Sequence, residues 1–275
     1  MRKSGEVWRG GTRANLAAHL ASGAVTLIEG DIRDQHALAE QMLGAEVVFH
    51  LAAQSNVMGA VAGVGYSFTT NVAGTFNVLK AAGDLGVRRV VFSSSHEVYG
   101  EARALPVRED HPMDSKNTYG ASKAAGELYC RVFQTTFGLE TAILRLANVY
   151  APRDFGRVIP LWLGWAAEGR DLIVYGGDQL IDFVWVDQVV EALMRAATAD
   201  IAGQPINVGS GQGTPILQLA ERILALTGAG SRLDRRPARS AEVTAFQADV
   251  TRMREQLGLE PPDDSLFALP RLIAA

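Results

Sequence analysis

Two alternating patterns constrain the fold of this chain most: short apolar runs rich in β-branched residues, and stretches with helical periodicity. The apolar runs lie at residues 24–28, 46–53, 89–92, 139–145 and 205–208. Helical stretches follow most of them, at residues 36–43, 72–85, 118–137 and 215–227. This alternation is typical of βα units and predicts an α/β fold with a doubly wound parallel sheet.

The alternation loosens near residue 150, where prolines and glycines become frequent. We predict a sheet domain over residues 1–150 and a smaller C-terminal lobe over residues 151–275, with residues 182–209 returning to the sheet domain. Asp34 precedes a helical stretch and is expected to cap it. Residues 56–67 contain several glycines and are predicted to form a loop.

Composition and charge exclude several classes of protein. Of the 275 residues, 48% are hydrophobic and 20% are charged, which is typical of a globular chain. A formal net charge of -4 argues against nonspecific nucleic-acid binding, which needs a concentrated basic face. Cys130 is the single cysteine, so an intrachain disulfide and a Cys-rich zinc site are excluded, and no apolar run could span a bilayer. We expect a cytoplasmic protein with no metal site and no membrane or nucleic-acid partner.

Tyr119 and Lys123 are four residues apart, which places them on one face of the predicted helix at 118–137. A tyrosine has a pKa of about 10, so acting as a base near pH 7 requires its pKa to fall by roughly 3 units. A nearby ammonium and a cationic ring could supply that shift together. The Y-x-x-x-K pattern alone is weak evidence for a catalytic pair, because inert pairs on exposed helix surfaces have the same spacing.

The context strengthens the pattern, because Ser93, Ser94 and Ser95 end the apolar run at 89–92, and strand ends line the ligand crevice of an open parallel sheet. With these residues the chain resembles the extended short-chain dehydrogenase/reductase family, specifically its nucleotide-sugar epimerases and dehydratases. The matching segments are residues 30–34 (GDIRD), 50–53 (HLAA), 71–75 (NVAGT), 93–100 (SSSHEVYG), 119–123 (YGASK), 145–150 (RLANVY) and 182–187 (DFVWVD).

The resemblance implies a Rossmann-like fold, an NAD cofactor and a nucleotide-diphosphate sugar as substrate. Tyr119 resembles the family's catalytic acid/base, Lys123 the partner that lowers its pKa and binds the nicotinamide ribose, and Ser95 the hydroxyl that orients the sugar O4. Glu97 resembles a dehydratase residue that could abstract a proton from C5. The expected cofactor contacts are Asp31 and Ile32 at the adenine, Leu51, Ala52 and Ala53 along the pyrophosphate and ribose, Asn71 behind them, and Ser93, Tyr119 and Lys123. Asn148 and Arg239 are expected at the substrate's diphosphate.

The chain departs from the family at its beginning. The family opens with a strand and a glycine-rich turn that receives the pyrophosphate at a helix N-terminus, and neither is present here. Residues 7–16 resemble instead the end of the second strand and the loop after it. We expect either an N-terminally incomplete enzyme, which we favour, or a rearranged sheet with a changed cofactor site. Arg9 and Arg13 leave NADP open as the cofactor.

Several residues have simpler structural interpretations. Asn71 could cap the helix predicted from residue 72, Cys130 is expected to pack in the core, and His50 is expected to pack at a strand end. The sequence GSGQG at residues 209–213 imitates a dinucleotide motif, but its spacing fails because Thr214 stands where the third glycine is required. A second departure is Ile181, where the family often has a phosphate-binding arginine. Binding of the substrate phosphate must then rely more on Arg239, and Arg153 and Arg157 are further candidates.

Three functional hypotheses follow. We favour NAD(P)-dependent 4-epimerisation of a nucleotide sugar. The alternative is 4,6-dehydration, which the presence of Glu97 favours. His96 argues against it, because dehydratases commonly have an acidic residue at that position. A histidinium could still protonate a leaving hydroxyl, so dehydration stays open. A cofactor-free nucleotide-sugar-binding protein is the alternative from another class.

We also expect a homodimer formed through the helices at 72–85 and 118–137. Its candidate contacts are Phe76, Leu79, Leu128 and Val132. These 275 residues alone are expected to bind dinucleotide weakly.

Overall fold

The computed structural model describes residues 13–201 and 203–273. Most of the segment predicted to resemble a second strand, including Arg9, lies outside these residues, and its described end, Arg13–Leu16, is a short 3-10 helix. The strands are β1 Val47–His50, β2 Arg89–Ser95, β3 Glu140–Leu146, β4 Asn148–Tyr150, β5 Leu172–Tyr175, β6 Leu180–Trp185, β7 Pro205–Val208, β8 Gly213–Pro215 and β9 Leu233–Arg236. The α-helices are α1 Ala17–Ala21, α2 Gln35–Met42, α3 Val57–Ala62, α4 Val64–Ser67, α5 Gly74–Asp84, α6 Thr118–Phe137, α7 Val158–Ala167, α8 Val186–Ala196, α9 Ile216–Thr227, α10 Thr251–Leu257 and α11 Leu269–Ile273.

The main sheet has four parallel strands in the order β1-β2-β3-β7. Successive side chains of a strand point to opposite faces, and β2 shows this directly. Val91 packs in a core with residues of α8 and α10, whereas Val90 and Phe92 pack in a second core with residues of α5 and α6. The sheet is therefore covered by helices on both faces, and the predicted doubly wound α/β fold is confirmed.

The prediction of a strand at residues 24–28 is wrong, because this segment forms no strand. Val25 and Ile28 are 40% and 51% exposed, and the segment pairs with no neighbouring strand in the described part of the chain. Within that part β1 also pairs on one side only, with β2. A β-branched run becomes a strand when another strand satisfies its backbone groups, and here none of the described strands lies beside it.

The predicted loop at residues 56–67 is also wrong, because it contains helices α3 and α4. A π-helical turn, Phe68–Ala73, joins them to α5, so the helix expected from residue 72 begins earlier. Asn56 caps α3 through a hydrogen bond that its Oδ1 accepts from the backbone of Gly59. Helix α3 packs against α6, and Ala60 is fully buried, so tertiary contacts outweigh the poor helix propensity of glycine.

A third core lies in the C-terminal part, where α7, α9 and α11 pack on β5 and β6. Strand β6 pairs in parallel with β4 and antiparallel with β8, and β5 pairs with β9. Asp182 in β6 is fully buried and accepts hydrogen bonds from the backbone of Ser210, Gly211 and Ala248. This carboxylate therefore ties the 209–213 loop to β6, which is a structural role, as expected for a segment that is not a dinucleotide motif.

Two predictions about helix surfaces differ in outcome. Phe76, Leu128 and Val132 are exposed on α5 and α6. Leu79 is fully buried in the core beneath α5, so its prediction as a subunit contact is wrong.

Across residues 13–201 and 203–273, no helix is long and apolar enough to cross a membrane, and no cluster of side chains could hold a metal ion.

Candidate active site

Three successive serines end β2, and the structure gives each a different partner. Ser93 accepts a hydrogen bond at its carbonyl oxygen from Lys123 Nζ (2.7 Å) and donates its hydroxyl to the carbonyl of His50 (3.2 Å). Ser94 donates to the buried carboxylate of Glu127 (2.5 Å). Ser95 accepts from the backbone N–H of Glu97 (3.2 Å), and its side chain lowers the pKa of the Tyr119 phenol, against the effect of burial. Of the three serines, Ser95 is the one whose side chain acts on the pKa of Tyr119, and its role as the serine that works with Tyr119 stays a prediction.

Helix α6 carries Tyr119 and Lys123, and two glycines let it approach the sheet closely. A Cβ atom on Gly120 would lie 2.2 Å from the carbonyl oxygen of Glu97, and one on Gly126 would lie 2.6 Å from the ring of Phe92. Asn117 caps the helix through its side-chain oxygen, and Gly138 ends it with a φ of 72°. The bounds of α6 agree with the sequence prediction of residues 118–137.

Lys123 is buried, with its Nζ 4.8 Å from the ring centre of Phe92 and 6.0 Å from that of Tyr119. Burial lowers the pKa of Lys123 to about 8. Burial raises the pKa of Tyr119 to about 12, against the hydrogen bond with Ser95 and the nearby guanidinium of Arg157. The lowered tyrosine pKa required of a base is therefore not supplied by the protein groups alone.

A buried ion pair lies one helical turn beyond Lys123. Arg145 in β3 donates to both carboxylate oxygens of Glu127, from Nε (2.9 Å) and Nη2 (2.6 Å). Its guanidinium also lies 4.7 Å from the ring centre of Tyr99. A bidentate pair of this kind fixes both partners, so α6 is anchored to the centre of the sheet directly behind the candidate catalytic residues. Cys130 is fully buried in the same helix, as expected.

Glu97 and His96 follow Ser95 in a short 3-10 turn, His96–Val98, and both are buried. Glu97 Oε2 accepts from Asn117 Nδ2 (2.7 Å). His96 Nε2 lies 3.3 Å from Asn148 Nδ2, and its ring stacks on Phe246 with centres 4.5 Å apart. Sequence reasoning missed Asn117, although an asparagine two residues before Tyr119, at the start of a helical stretch, is a recognisable capping signal.

Asn71 does not cap a helix, which was one of the two roles considered for it, because it lies inside the π-helical turn. Its Oδ1 accepts from the backbone N–H of Gln54 (2.7 Å), and its Nδ2 donates to the Gln54 carbonyl (3.0 Å) and to Ser122 Oγ (2.9 Å). It thereby holds the segment after β1, which contains Leu51, Ala52 and Ala53, against the helix of Tyr119. His50 is buried at the end of β1, 2.8 Å from Thr75 Oγ1, as predicted.

Asp31 and Ile32 lie against α5 rather than beside the catalytic residues. Ile32 packs on Gly74, where a Cβ would lie 2.6 Å from its side chain, and its carbonyl accepts from Asn77 Nδ2. Asp31 is paired with Arg33, whose hydrogen bond lowers the pKa of the carboxyl below its usual range. An open depression of about 790 Å³ lies beside Asp31 and is lined in part by Asp34, Thr69 and Asn77.

The remaining predicted phosphate ligands lie in the C-terminal part. Arg239 stacks on Tyr175, with its guanidinium carbon 3.6 Å from the ring centre, and pairs with Glu242 (3.0 Å). Arg157 donates to the carbonyl of Val149 (3.1 Å), and its charge acts on both Tyr119 and His96. The structure therefore brings Arg157 closer to the catalytic cluster than sequence reasoning indicated.

The described residues fit one end of a dinucleotide. Lys123 Nζ has a single hydrogen-bond acceptor among them, the Ser93 carbonyl, which leaves two of its N–H groups for the hydroxyls of a ribose. Tyr119 and Ser95 lie beside it, and the segment containing Leu51 and Ala52 is exposed next to them. The fit is therefore at the nicotinamide ribose, whereas a glycine-rich turn for the pyrophosphate is not in the sequence.

A parallel sheet with a serine at the carboxyl end of β2, beside a tyrosine and a lysine one turn apart on the helix that packs on it, defines an enzyme of the short-chain dehydrogenase/reductase type. More narrowly, the model of the NAD dependent epimerase/dehydratase family matches residues 1–209, and the chain belongs to this family. Enzymatic activity of this class and the NAD cofactor, both predicted from the sequence, are confirmed.

Relatives within the family carry both of the activities considered above. The chain is 35% identical over 260 residues to a UDP-glucose 4-epimerase of Mycolicibacterium smegmatis, covering 91% of this chain and 82% of that protein. It is 30% identical over 268 residues to a dTDP-glucose 4,6-dehydratase of Actinoplanes sp., covering 96% and 84%. A dTDP-glucose 4,6-dehydratase double mutant from Streptomyces venezuelae, solved with NAD bound, matches with a TM-score of 0.92 and 31% identity, covering 96% and 83%. The chain is thus similar to enzymes of both reactions.

Proposed function

We propose that the chain is a nucleotide-sugar 4-epimerase in which Tyr119 exchanges a proton with the sugar O4. The Ser95 hydroxyl, whose side chain acts on the pKa of Tyr119, would hydrogen-bond the same sugar oxygen. NAD, when bound, would supply the acceptor for the hydride of the sugar C4 and the donor that returns it. The Lys123 ammonium holds the nicotinamide ribose and adds positive charge beside Tyr119, which favours the phenolate.

The observation that carries this choice is the state of His96. Burial lowers the pKa of His96 below its ordinary value of 6.5, and the charge of Arg157 acts in the same direction, against Glu97 and Asn148. Asn148 Nδ2 lies 3.3 Å from Nε2, and Nδ1 has no hydrogen-bond partner among the described residues, so neither ring nitrogen faces an acceptor that would stabilise the imidazolium and the neutral ring is favoured. A neutral imidazole is a poor acid for a leaving hydroxyl, which disfavours dehydration.

Dehydration remains the second candidate because of Glu97. This buried carboxylate lies beside Tyr119, where its charge raises the pKa of the phenol. In epimerisation it would only hydrogen-bond the bound sugar, whereas dehydration would also use it as a base. A carboxylate at this place could remove the C5 proton of a sugar bound with its O4 at Tyr119. Dehydration also needs an acid that protonates the leaving hydroxyl. The choice between the two functions therefore depends on whether His96 or another group can supply that proton.

We assign the remaining contacts by the same reasoning. Asp31 and Ile32 are proposed to face the adenine, beside the open depression. Leu51, Ala52, Ala53, Asn71 and Ser93 are proposed to line or support the cofactor path. Asn148 and Arg239 are proposed to bind the substrate's diphosphate, with Arg157 as an additional cation. The division into a sheet domain over residues 1–150 and a substrate-binding lobe over residues 151–275, with residues 182–209 returning to the sheet domain, is part of this proposal.

The test is a panel of UDP-, dTDP- and GDP-hexoses incubated with the protein and millimolar NAD, with products identified by NMR. We expect a C4 epimer as product and a loss of turnover of about 10²–10⁴-fold in Tyr119→Phe at unchanged thermal stability. Tyr129→Phe, in the same helix and partly exposed, is the matched control. A 4-keto-6-deoxy product would establish dehydration instead, and a Tyr119→Phe protein with most of its activity would contradict the assignment of Tyr119.

We also propose that the protein forms a homodimer in the cytoplasm. Phe76, Leu128 and Val132 expose apolar surface on the adjacent helices α5 and α6, and a two-fold dimer would bury this surface against its own copy. Light scattering at micromolar concentration should give the dimer mass, and Leu128→Glu with Val132→Glu should give the monomer. Met194→Glu, on the exposed side of α8, should leave the mass unchanged. A monomeric wild-type protein contradicts the proposal.

A further inference from the structure

Asn117 joins three parts of the molecule and uses all of its side-chain hydrogen-bonding groups. Its Oδ1 accepts from the backbone N–H of Gly120 (2.9 Å) and caps α6. Its Nδ2 donates to Glu97 Oε2 (2.7 Å) and to the carbonyl of Ala241 (3.1 Å). The residue is 7% exposed. A serine or aspartate could cap the helix equally well, so the cap alone does not account for an amide at this place.

Glu97 depends on this amide more than an ordinary carboxylate would. In the described part of the chain it forms no ion pair, and Asn117 is the one side chain that donates to it. Its Oε1 accepts no hydrogen bond from those residues and is not sealed from solvent. The groups that face this region are Tyr119 from α6, His96 from the same turn, and Arg157 from the segment before α7.

The contact between Asn117 and Glu97 links the two elements that carry the active site. Glu97 comes from the turn after β2, and Tyr119 comes from α6, two residues beyond Asn117. A hydrogen bond at one oxygen of a carboxylate restricts its rotation and so limits where the second oxygen can point. Because the same side chain caps the helix of Tyr119, a shift of α6 would move the donor of Glu97 as well.

We infer that Asn117 is a positioning residue that holds the Glu97 carboxylate by one oxygen, so that the other oxygen faces the sugar beside Tyr119. This inference deepens the proposed function and rests on its placement of Glu97 in the substrate site. Asn117 touches no substrate itself and acts through Glu97.

The test is a double-mutant cycle of Asn117→Ser and Glu97→Ala, measured by thermal unfolding and by turnover of UDP-glucose with millimolar NAD. Asn117→Ser keeps a capping oxygen and loses the donor to Glu97. We expect a lower Tm by about 3 °C and a kcat lowered about 10-fold with KM changed less than 3-fold. In the Glu97→Ala background the same substitution should change kcat less than 2-fold and Tm by less than half as much.

Two further variants separate the cap from the contact. Asn117→Asp keeps the cap but places a second carboxylate against Glu97, so we expect a larger loss of kcat than in Asn117→Ser. Asn56→Ser is the matched control, because Asn56 caps α3 through Gly59 and its Nδ2 has no partner in the described chain. It should leave kcat unchanged and alter the Tm by less than about 1 °C.

The outcomes distinguish failure of the inference from failure of the proposed function. Effects of Asn117→Ser that are equal in both Glu97 backgrounds would overturn the inference, because the residue would then act only as a cap or through Ala241. If the protein turns over no nucleotide sugar, or Glu97→Ala keeps full activity, the assigned role of Glu97 fails. The unfolding cycle on the protein alone still reports whether Asn117 and Glu97 are coupled.

Discussion

The two ends of the expected cofactor site are held in different ways. At the catalytic end, Ser93, Ser95 and Lys123 are buried on elements that pack against the middle of the sheet. At the adenine end, Asp31 and Arg33 have side chains that are 44% and 41% exposed, and they follow the extended segment with exposed Val25 and Ile28. The expected site thus combines one end that is buried in the sheet with another that few described contacts hold.

The difference shows what a strand in a parallel sheet requires. Residues 89–95 and 24–28 are both apolar runs, but the first pairs with a strand on each side and the second pairs with none of the described strands. Pairing supplies partners for the backbone groups and also places helices over both faces. Sequence pattern alone therefore identifies a segment that can be a strand, and its neighbours decide whether it is one.

The largest expected effect concerns NAD affinity. We expect the 275-residue chain to bind NAD about 10³-fold more weakly than a relative with a glycine-rich turn, because three charge-assisted contacts to the pyrophosphate contribute about 1.5–3 kcal/mol each. Calorimetry should then give millimolar affinity. Nicotinamide mononucleotide should bind about as tightly as NAD, since the catalytic end provides most of the contacts.

A fusion that places a relative's first strand and glycine-rich turn ahead of residue 13 is the control, and it should restore tight binding of NAD but not of the mononucleotide. Micromolar binding of NAD by the unfused chain would remove the contrast between the two ends.

The second prediction compares two isoleucines. Ile143 is fully buried in β3 and packs beneath α5 and α6, whereas Ile28 is 51% exposed. Ile143→Ala should lower the free energy of unfolding by about 2–5 kcal/mol, and Ile28→Ala should change it by less than about 0.5 kcal/mol. Urea unfolding measures both. Equal losses would mean that residues 24–28 pack as tightly as the centre of the sheet.

Sequence reasoning was most accurate where a local signal and the tertiary contacts agree. The bounds of α6 follow from its periodicity between Asn117 and Gly138, and Asp34 caps α2 by accepting from His36 and Ala37, as predicted. Reasoning failed where distant residues decide, as for residues 24–28, which lack a described partner, and Ala60, whose burial keeps a glycine-rich segment helical. Asn117 was missed because its second role, at Glu97, depends on how two elements pack.

The third prediction uses His50, which lies where the two regions meet. Burial, reinforced by the charge of Lys123, lowers the pKa of His50 to about 3. The unfolded chain, with an ordinary pKa of about 6.5, binds the proton first, so the stabilisation present above pH 6.5 is lost as the pH falls toward 3. From pH 6.5 to 4 this group should reduce the free energy of unfolding by about 3 kcal/mol. His50→Gln should flatten that slope in urea titrations, and exposed His19→Gln should not; an unchanged slope in His50→Gln would place the acid sensitivity elsewhere.

The smallest expected effect concerns the ion pair of Asp31 and Arg33 at the adenine end. Both partners are exposed, so solvent screens the pair, and Asp31→Asn should lower the free energy of unfolding by less than about 1 kcal/mol, and by less still at high salt. The hydrogen bond from Arg33 keeps the pKa of Asp31 low, so this small contribution is present above an ordinary aspartate pKa and is lost as the pH falls through the lowered value. Urea unfolding at low and high salt measures the effect. A loss of several kcal/mol that salt does not reduce would show that this end of the site is as firmly held as the catalytic end, and the contrast between the two regions would then rest on the strands alone.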